Sequence, residues 1–406
     1  MADKVQLKDS ELTNRTGREI LFSLLTAASE LNLSFACWRL PKLKDFHILI
    51  DFSSNPQKQK AQLERSTQGF LIQPFLQENI EDTIFLKADL LYSSADKDIT
   101  IKSDTINPIL KEKFFKVFYE KLKTGNYNLS LPVLNSQDHF QNTKEHYIKL
   151  VELGKKAILE NKFKKIVLSR NKAIDLLSTP DISKLLQKVA EEYASAFVTL
   201  IHTPETGTWM TATPEILASI DKEGTFRTIA LAGTQQLKEG ENIERAVWTQ
   251  KEIEEQALVG RYIINCFKKI RLREYEEDGP RTIQSGNLLH LRTDYSVNTK
   301  ELNFPELGSV MLELLHPTSA VCGMPKEITL EFIKEHEGLE RKLFSGYLGP
   351  VNIEDESHIF VNLRCANLFA NKVVVYAGAG VTKDSEPEKE YRETELKMEA
   401  VGRFFN

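Results

Sequence analysis

Short apolar, β-branched runs recur through the second half of this chain more often than regular strand–helix–strand units do. The run FKKIVLSR at 163–170 has the composition of a buried strand, and VVVYA at 373–377 has the same character. Two further runs, at 197–202 and 208–212, flank the turn sequence PETG at 204–207 and predict a hairpin. Strands that outnumber βαβ alternations favour an α+β fold over a doubly wound parallel sheet.

The charge balance and the distribution of apolar residues exclude several classes of protein. Lys and Arg total 53 and Asp and Glu total 58, and the net charge of -5 argues against a nucleic-acid binder with a basic face. No apolar run approaches the ~20 residues that cross a bilayer. Residues 1–18 are polar and lack the apolar core of a signal peptide. We therefore expect a cytoplasmic protein that binds neither nucleic acid nor membrane.

Familiar motifs of metal-binding and nucleophilic enzymes do not occur in the sequence. There is no Walker A, HExxH or GxSxG pattern. Gly378-Ala379-Gly380 follows a predicted strand, but Lys383 stands where a dinucleotide-binding fingerprint needs its third glycine. The cysteines form no CxxC pair, so neither a zinc ribbon nor a redox motif is present and reduced thiols are expected. They are Cys37, Cys266, Cys322 and Cys365.

A predicted C-terminal helix, from about Pro387 to Phe404, carries charged residues on a face that is otherwise apolar. Glu390, Glu393 and Lys397 are spaced three and four residues apart and share this face. Carboxylates that point toward a core need partners, and Mg²⁺, which prefers oxygen ligands, would be one. The alternative is a partly exposed face held by ordinary salt bridges.

A second predicted helix, from about Asn242 to Lys269, repeats this pattern. Glu255 falls within its apolar stripe. Lys251, one turn earlier, offers Glu255 an ordinary i,i+4 ion pair. In the alternative interpretation, Glu255 faces the carboxylates of the last helix across a shared metal ion.

Lys165 and Glu215 are two further candidates for acid–base chemistry. Lys165 lies inside a strand-like run, and a lysine held among apolar side chains loses its charge more readily and could act as a base. Its alternative is a side chain that extends to the surface. Glu215 follows a strand and Pro214, and its alternative is a solvated glutamate in a turn.

Taken in order, these segments resemble the chorismate-utilising enzyme family. The similar segments run from about 165 to 400 in the order found in that family, and eight short motifs in order are a specific signal. They are KIVLSR (165–170), TPE (213–215), LAGT (231–234), KEIEEQALV (251–259), LHPTSAVCG (315–323), EGLERKLFSGYLG (337–349), LRCA (363–366) and the stretch 378–397 that contains EYRET.

Within the family, the chain is most similar to isochorismate synthases. In that subgroup a lysine in the KIVLSR-type strand activates water, whereas anthranilate synthases usually have glutamine there. Aminodeoxychorismate synthases carry a nucleophilic lysine where this chain has Ala232. Salicylate synthases share the isochorismate synthase features and add pyruvate elimination, so they stay the nearest alternative. A non-catalytic binding protein with the same fold is the third hypothesis, after isochorismate synthase and salicylate synthase.

The resemblance implies a role for each matched residue. Lys165 would be the base that activates water for addition at C2 of chorismate, and Glu215 the acid that protonates the departing C4 hydroxyl. Mg²⁺ would be held by Glu255 and Glu393, with Glu390 acting through water. The residues implied to bind the substrate are Gly233, Thr234, His290, Arg364, Gly378, Gly380 and Lys397.

The resemblance also implies the architecture. It predicts one large α+β fold of two stacked, mainly antiparallel sheets with helices outside. Residues 1–140 carry no family motif and are expected to complete these sheets, while 141–406 form the catalytic region. The oligomeric state stays open, with a monomer as one form found in the family. The pathway, menaquinone or siderophore biosynthesis, also stays open.

Overall fold

Two stacked β-sheets with flanking helices form the body of the protein. The computed structural model describes residues 3–5, 15–76, 79, 82–96, 98–102, 106–133, 143–237, 243, 246–285 and 288–405. Strand neighbours in both sheets pair antiparallel, as in the β2–β3 and β13–β15 ladders defined below. The predicted α+β fold of two antiparallel sheets is confirmed.

The strands of the described residues are numbered in chain order. They are β1 (Asp3–Val5), β2 (Ser34–Arg39), β3 (His47–Asp51), β4 (Gln57–Gln59), β5 (Gly69–Gln73), β6 (Thr83–Lys87), β7 (Leu90–Ser93), β8 (Ile99–Ile101), β9 (Lys165–Asp175), β10 (Phe197–Thr203), β11 (Gly207–Thr213), β12 (Ile216–Ile220), β13 (Thr225–Gln236), β14 (Glu276–Ser285), β15 (Leu288–Asn298), β16 (Gly323–Met324), β17 (Tyr347–Val351), β18 (Ser357–Val361), β19 (Cys365–Leu368) and β20 (Lys372–Val381). The larger sheet has the order β1-β8-β7-β3-β2-β10-β11-β19-β20-β9-β16, and the smaller has β14-β15-β13-β12-β18-β17-β5-β6-β4. The predicted hairpin is β10–β11.

Helices pack against these sheets, α8 against β20 and α5 against β13. They are α1 (Gly17–Glu30), α2 (Pro108–Thr124), α3 (Lys144–Leu159), α4 (Ile182–Glu192), α5 (Gln250–Lys269), α6 (Leu307–Leu315), α7 (Lys326–His336) and α8 (Pro387–Gly402). Helix α5 begins at Gln250 rather than at Asn242, which lies outside the described residues. It begins there because the Thr249 N–H donates to Glu252 Oε2 at 2.7 Å, as in a capping box. No described helix combines the length and the apolar character that crossing a membrane requires.

Aromatic side chains join the two sheets at their inner faces. Phe197 of β10 and Phe360 of β18 stack with ring centroids 4.1 Å apart and planes 3° apart. Trp38 from the larger sheet and Phe70 from the smaller pack in the same core, with centroids 5.4 Å apart. Large aromatic surfaces buried between layers supply much of the hydrophobic stabilisation, and they fix how the sheets align.

The N-terminal strands lie inside both sheets. In the larger sheet β2 pairs with β10, so that Cys37 lies opposite Leu200. In the smaller sheet β5 pairs with β17, so that Leu71 lies opposite Gly349. Residues before 140 therefore supply strands to both sheets, and β5 lies next to β17, which carries part of the motif at 337–349.

Candidate active site

A cavity of about 690 Å³, including the solvent space at its mouth, is lined by strands of both sheets. β9 and β20 contribute from the larger sheet, and β13 and β15 from the smaller. The predicted residues in its lining are Glu215, Gly233, Thr234, Glu255, His290, Arg364, Gly378 and Lys397. Lys165, Gly380, Glu390 and Glu393 are not among the lining residues. Of these, Lys165 and Glu393 bind the lining residues Glu255 and Lys397.

A bulge in β13 presents Gly233 and Thr234 to the cavity. The register of the β13–β15 ladder shifts between Ala232 and Gln235, so these two residues leave the regular pairing. Gly233 has φ +69°, a left-handed conformation that glycine adopts without steric cost. The bulge thus turns the Gly233 carbonyl toward His290, whose Nδ1 lies 2.8 Å from that oxygen.

The protonation state of His290 follows from its surroundings. Burial, and then the nearby Arg364 guanidinium, lower the pKa of His290 to about 3. The neutral ring therefore places its hydrogen on Nδ1, which donates to Gly233, and keeps a lone pair on Nε2. Nε2 lies 3.5 Å from Arg364 Nη2. This contact orients the guanidinium at the cavity wall.

Arg364 is held at the wall by an unusual backbone. It has φ +49° in the segment between β18 and β19. Its carbonyl accepts a hydrogen bond from the Ala212 N–H at 3.0 Å, which ties the segment to β11. Burial lowers the pKa of Arg364, against the opposing effects of Tyr193, Glu393 and Glu215. Because a guanidinium stays charged in proteins, a cation faces the cavity.

Glu215 is a buried carboxyl group rather than a solvated turn residue. Only 5% of its surface is exposed. Burial raises the pKa of Glu215 to about 7, against the opposing effects of Lys165, Arg364 and Lys397. A carboxyl group with such a pKa carries a proton through part of the neutral range, as a general acid must.

Lys165 is fully buried at the start of β9, so its predicted surface-seeking alternative is excluded. Its Nζ lies 2.8 Å from Glu255 Oε1. Burial alone would raise the pKa of Glu255, but Lys165, and then Lys397 and Lys251, hold it below its usual value. Glu255 is therefore an ionised carboxylate at the edge of the cavity.

Helix α8 presents the remaining charged groups. Lys397 donates to Glu393 Oε1 at 2.6 Å and to the Gly378 carbonyl at 3.0 Å. Glu390 Oε1 accepts from Lys251 at 2.6 Å, while its Oε2 is buried with no partner among the described residues. Burial raises the pKa of Glu390 against the opposing charge of Lys251.

The predicted i,i+4 pair between Lys251 and Glu255 does not form. Lys251 pairs with Glu390 of α8 instead. The Glu390 side chain is 1% exposed, so leaving its charge unpaired would be costly, whereas Glu255 is already paired with Lys165. Burial alone would lower the pKa of Lys251, but Glu390, and then Glu393 and Glu255, raise it. Its ammonium therefore lies within electrostatic reach of all three carboxylates.

These carboxylates have the oxygen donors that a hard cation prefers. Glu390 Oε2 is buried and makes no hydrogen bond within the described chain, so its lone pairs are available to a metal ion. No three His, Cys, Asp or Glu side chains in the described ranges converge into a ready-made metal site. Each of the three carboxylates is drawn instead to a lysine.

A buried ion pair outside the candidate set shapes two walls of the cavity. Arg341 donates to the carbonyls of Val321 and Val167 at 2.8 and 2.9 Å, and both valines line the cavity. Glu337 binds Arg341 and accepts from the Ser169 N–H at 2.9 Å. The i,i+4 spacing of this pair within EGLERKLFSGYLG was a signal for it, although its partners come from distant segments.

Comparison with known proteins decides the family. A family model described as chorismate binding enzyme matches residues 40–405. The chain is a chorismate-binding enzyme. The resemblance drawn from the sequence motifs is thereby confirmed.

Several characterised chorismate-binding enzymes are similar to this chain. Isochorismate synthase EntC of Escherichia coli K12 is 29% identical over 242 residues, covering 58% of this chain and 61% of that protein. Isochorismate synthase MenF of Bacillus subtilis is 27% identical over 265 residues, covering 64% and 55%. The match thus spans less than two thirds of either relative.

The fold of this chorismate-binding enzyme matches a solved structure along its whole length. MenF, the menaquinone-specific isochorismate synthase from Escherichia coli, superimposes with a TM-score of 0.74 at 19% identity, covering 100% of this chain and 94% of that one. Identity at this level shows the shared fold.

Proposed function

We propose that this protein converts chorismate to isochorismate, with water added at C2 and the C4 hydroxyl lost. The observation that carries the proposal is Glu215, a buried carboxyl group with a pKa of about 7 that shares one cavity with cationic groups. The isochorismate synthases among its relatives support this choice. The proposed reaction needs a proton donor at one carbon and a base at the other.

Glu215 is the proposed acid. Its protonated form donates to the departing C4 hydroxyl, which leaves as water. Because Glu215 is 5% exposed, bulk water does not compete for the proton before the substrate is in place.

Lys165 is the proposed base for the attacking water. In its 2.8 Å ion pair with Glu255, Lys165 is an ammonium and cannot accept a proton, so the pair must open and the ammonium must lose a proton before Lys165 acts as a base. The pair therefore holds the base inactive until Glu255 has another cation to bind. This ordering prevents a free base from forming in the absence of that cation.

The substrate is a dianion, and the cavity offers cations for its carboxylates. Arg364 and Lys397 line the cavity and are the proposed contacts, together with backbone amides from Gly378 to Gly380. Gly233 and Thr234, on the β13 bulge, form the proposed floor under the ring, and His290 orients Arg364 there.

Mg²⁺ is the proposed cofactor, with Glu255 and Glu393 as ligands and Glu390 acting through water. When bound, it would neutralise the ring carboxylate of chorismate. The oxygen donor set and the unpartnered Glu390 Oε2 support this assignment.

Chromatographic separation of the products after incubation with chorismate and Mg²⁺, with each peak identified by its retention and its mass, tests the proposal, because isochorismate has the same mass as chorismate. We expect isochorismate, formed reversibly and abolished by EDTA. Salicylate with pyruvate would identify a salicylate synthase instead, and an aminated ring formed with ammonia would identify an anthranilate synthase. Chorismate binding without any product in the presence of Mg²⁺ would indicate a binding protein.

A further inference from the structure

Three carboxylates and three ammonium groups pair one to one in and behind the lining of the cavity. Lys165 pairs with Glu255, Lys397 with Glu393 and Lys251 with Glu390, at N–O distances of 2.8, 2.6 and 2.6 Å. These charges already balance. A divalent cation that entered while all three ammonium groups stayed would meet their repulsion at short range.

Of the three lysines, Lys251 has the clearest route to solvent. Its side chain is 32% exposed, whereas that of Lys165 is 0% exposed and that of Lys397 is 19%. Lys397 is also held by the Gly378 carbonyl. In the described chain, Lys251 Nζ has Glu390 as its hydrogen-bond partner, so rotation into water breaks a single bond.

Glu390 cannot be left alone when Lys251 departs. Its carboxylate is 1% exposed, and its Oε2 has no partner in the described part of the chain. A buried, unpaired carboxylate is strongly unfavourable, so either another cation or a proton must replace the ammonium. The position that Lys251 occupies is therefore one that favours a cation as long as Glu390 is ionised.

We propose that the Lys251 ammonium holds the place of the metal in the metal-free protein and swings into solvent when Mg²⁺ binds. The inference rests on the Mg²⁺ site of the proposed function. It assigns Lys251 a positioning role as the residue that sets metal affinity. Mg²⁺ then binds weakly on its own and more tightly with the dianionic substrate, since the two ligands compensate each other's charge.

Titration of the metal-free, full-length protein with Mn²⁺, with free Mn²⁺ read by electron paramagnetic resonance and no chorismate present, tests this exchange. Lys251→Met keeps the bulk of the stem and removes the charge, and we expect it to bind Mn²⁺ at least about tenfold more tightly than the unaltered protein. Lys251→Arg keeps the charge and should bind like the unaltered protein.

Lys389→Met is the matched control on α8. Lys389 pairs with Glu386 in an exposed salt bridge, so its loss removes one positive charge near the same helix without freeing a buried carboxylate. We expect less than about a twofold change in Mn²⁺ affinity, because solvent screens exposed charges.

A second measurement uses chorismate with Mn²⁺. In the unaltered protein chorismate should tighten Mn²⁺ binding, and in Lys251→Met this gain should shrink. Equal Mn²⁺ affinity in Lys251→Met and the unaltered protein, or weaker binding in Lys251→Met, overturns the exchange while leaving the metal site standing. Absence of Mn²⁺ binding in every protein, with and without chorismate, overturns the metal site itself. Product analysis still tests the reaction separately.

Discussion

Gly380 lies so close to Glu255 that any side chain at position 380 would displace the Glu255 carboxylate. A Cβ built on Gly380 would stand 2.7 Å from Glu255 Oε1 and 3.0 Å from Lys165 Cε. The glycine on β20 thus leaves the space that the buried ion pair fills, and the wall of the cavity depends on that pair.

We therefore expect Gly380→Ala to force Glu255 and Lys165 apart and to lower turnover at least about tenfold. The free energy of unfolding should fall by about 1–3 kcal/mol, the range for overpacking in a core. Gly402→Ala is the control, because its new Cβ meets the flexible end of Ile174 at 3.1 Å and the side chain of Val375 at an ordinary contact distance of 3.5 Å. Full activity in Gly380→Ala would contradict a role for this pair.

Glu215→Gln should lower turnover by about 10²–10⁴-fold, the usual contribution of a general acid. It should also raise stability at pH 8. The folded carboxyl titrates near 7 and its ordinary value is 4.5, so its contribution to stability is full below about 4.5 and is lost as pH rises toward 7.

The neutral amide of Glu215→Gln does not ionise, so the variant does not lose stability as pH rises. Urea denaturation should show the variant more stable by about 1–3 kcal/mol at pH 8, with little difference at pH 4. A difference that does not depend on pH would argue against a raised pKa for Glu215.

Lys165→Ala should stop turnover while chorismate binding, measured by calorimetry, stays largely intact. Lys164→Ala is the matched control, because Lys164 is the exposed neighbour that directly precedes β9. Unchanged turnover in Lys165→Ala would remove Lys165 as the base. Equal losses in both variants would point to a general effect of positive charge.

Arg341→Met should destabilise the protein by about 3–5 kcal/mol in urea denaturation, because it leaves the buried Glu337 carboxylate unpaired. The carbonyls of Val167 and Val321 lose their donor in the same variant, so turnover should fall as well. Lys389→Met, in an exposed pair, should change stability by less than about 0.5 kcal/mol.

Part of this architecture was predictable from local sequence. The β10–β11 hairpin and the strand character of β9 and β20 follow from apolar, β-branched runs and turn residues, because these preferences act over a few neighbouring positions. The face shared by Glu390, Glu393 and Lys397 follows in the same way from helical spacing.

The partners of the charged residues were not predictable in this way. Helical spacing pairs Lys251 with Glu255, but the packing of α5 beside α8 gives it Glu390 instead. The β13 bulge likewise depends on pairing with β15, whose register no local pattern in Gly233 or Thr234 reveals. Contacts of this kind depend on how distant elements pack, which local propensity does not encode.

The cavity lies between the two sheets, since its walls come from β9 and β20 on one side and from β13 and β15 on the other. Each sheet alone holds only part of the site. Catalytic activity would therefore depend on how the two sheets are aligned. Consider a refolded chain in which each sheet has formed but one aromatic contact between the sheets is out of place. Its secondary-structure content would equal that of the native protein, and it would still be inactive.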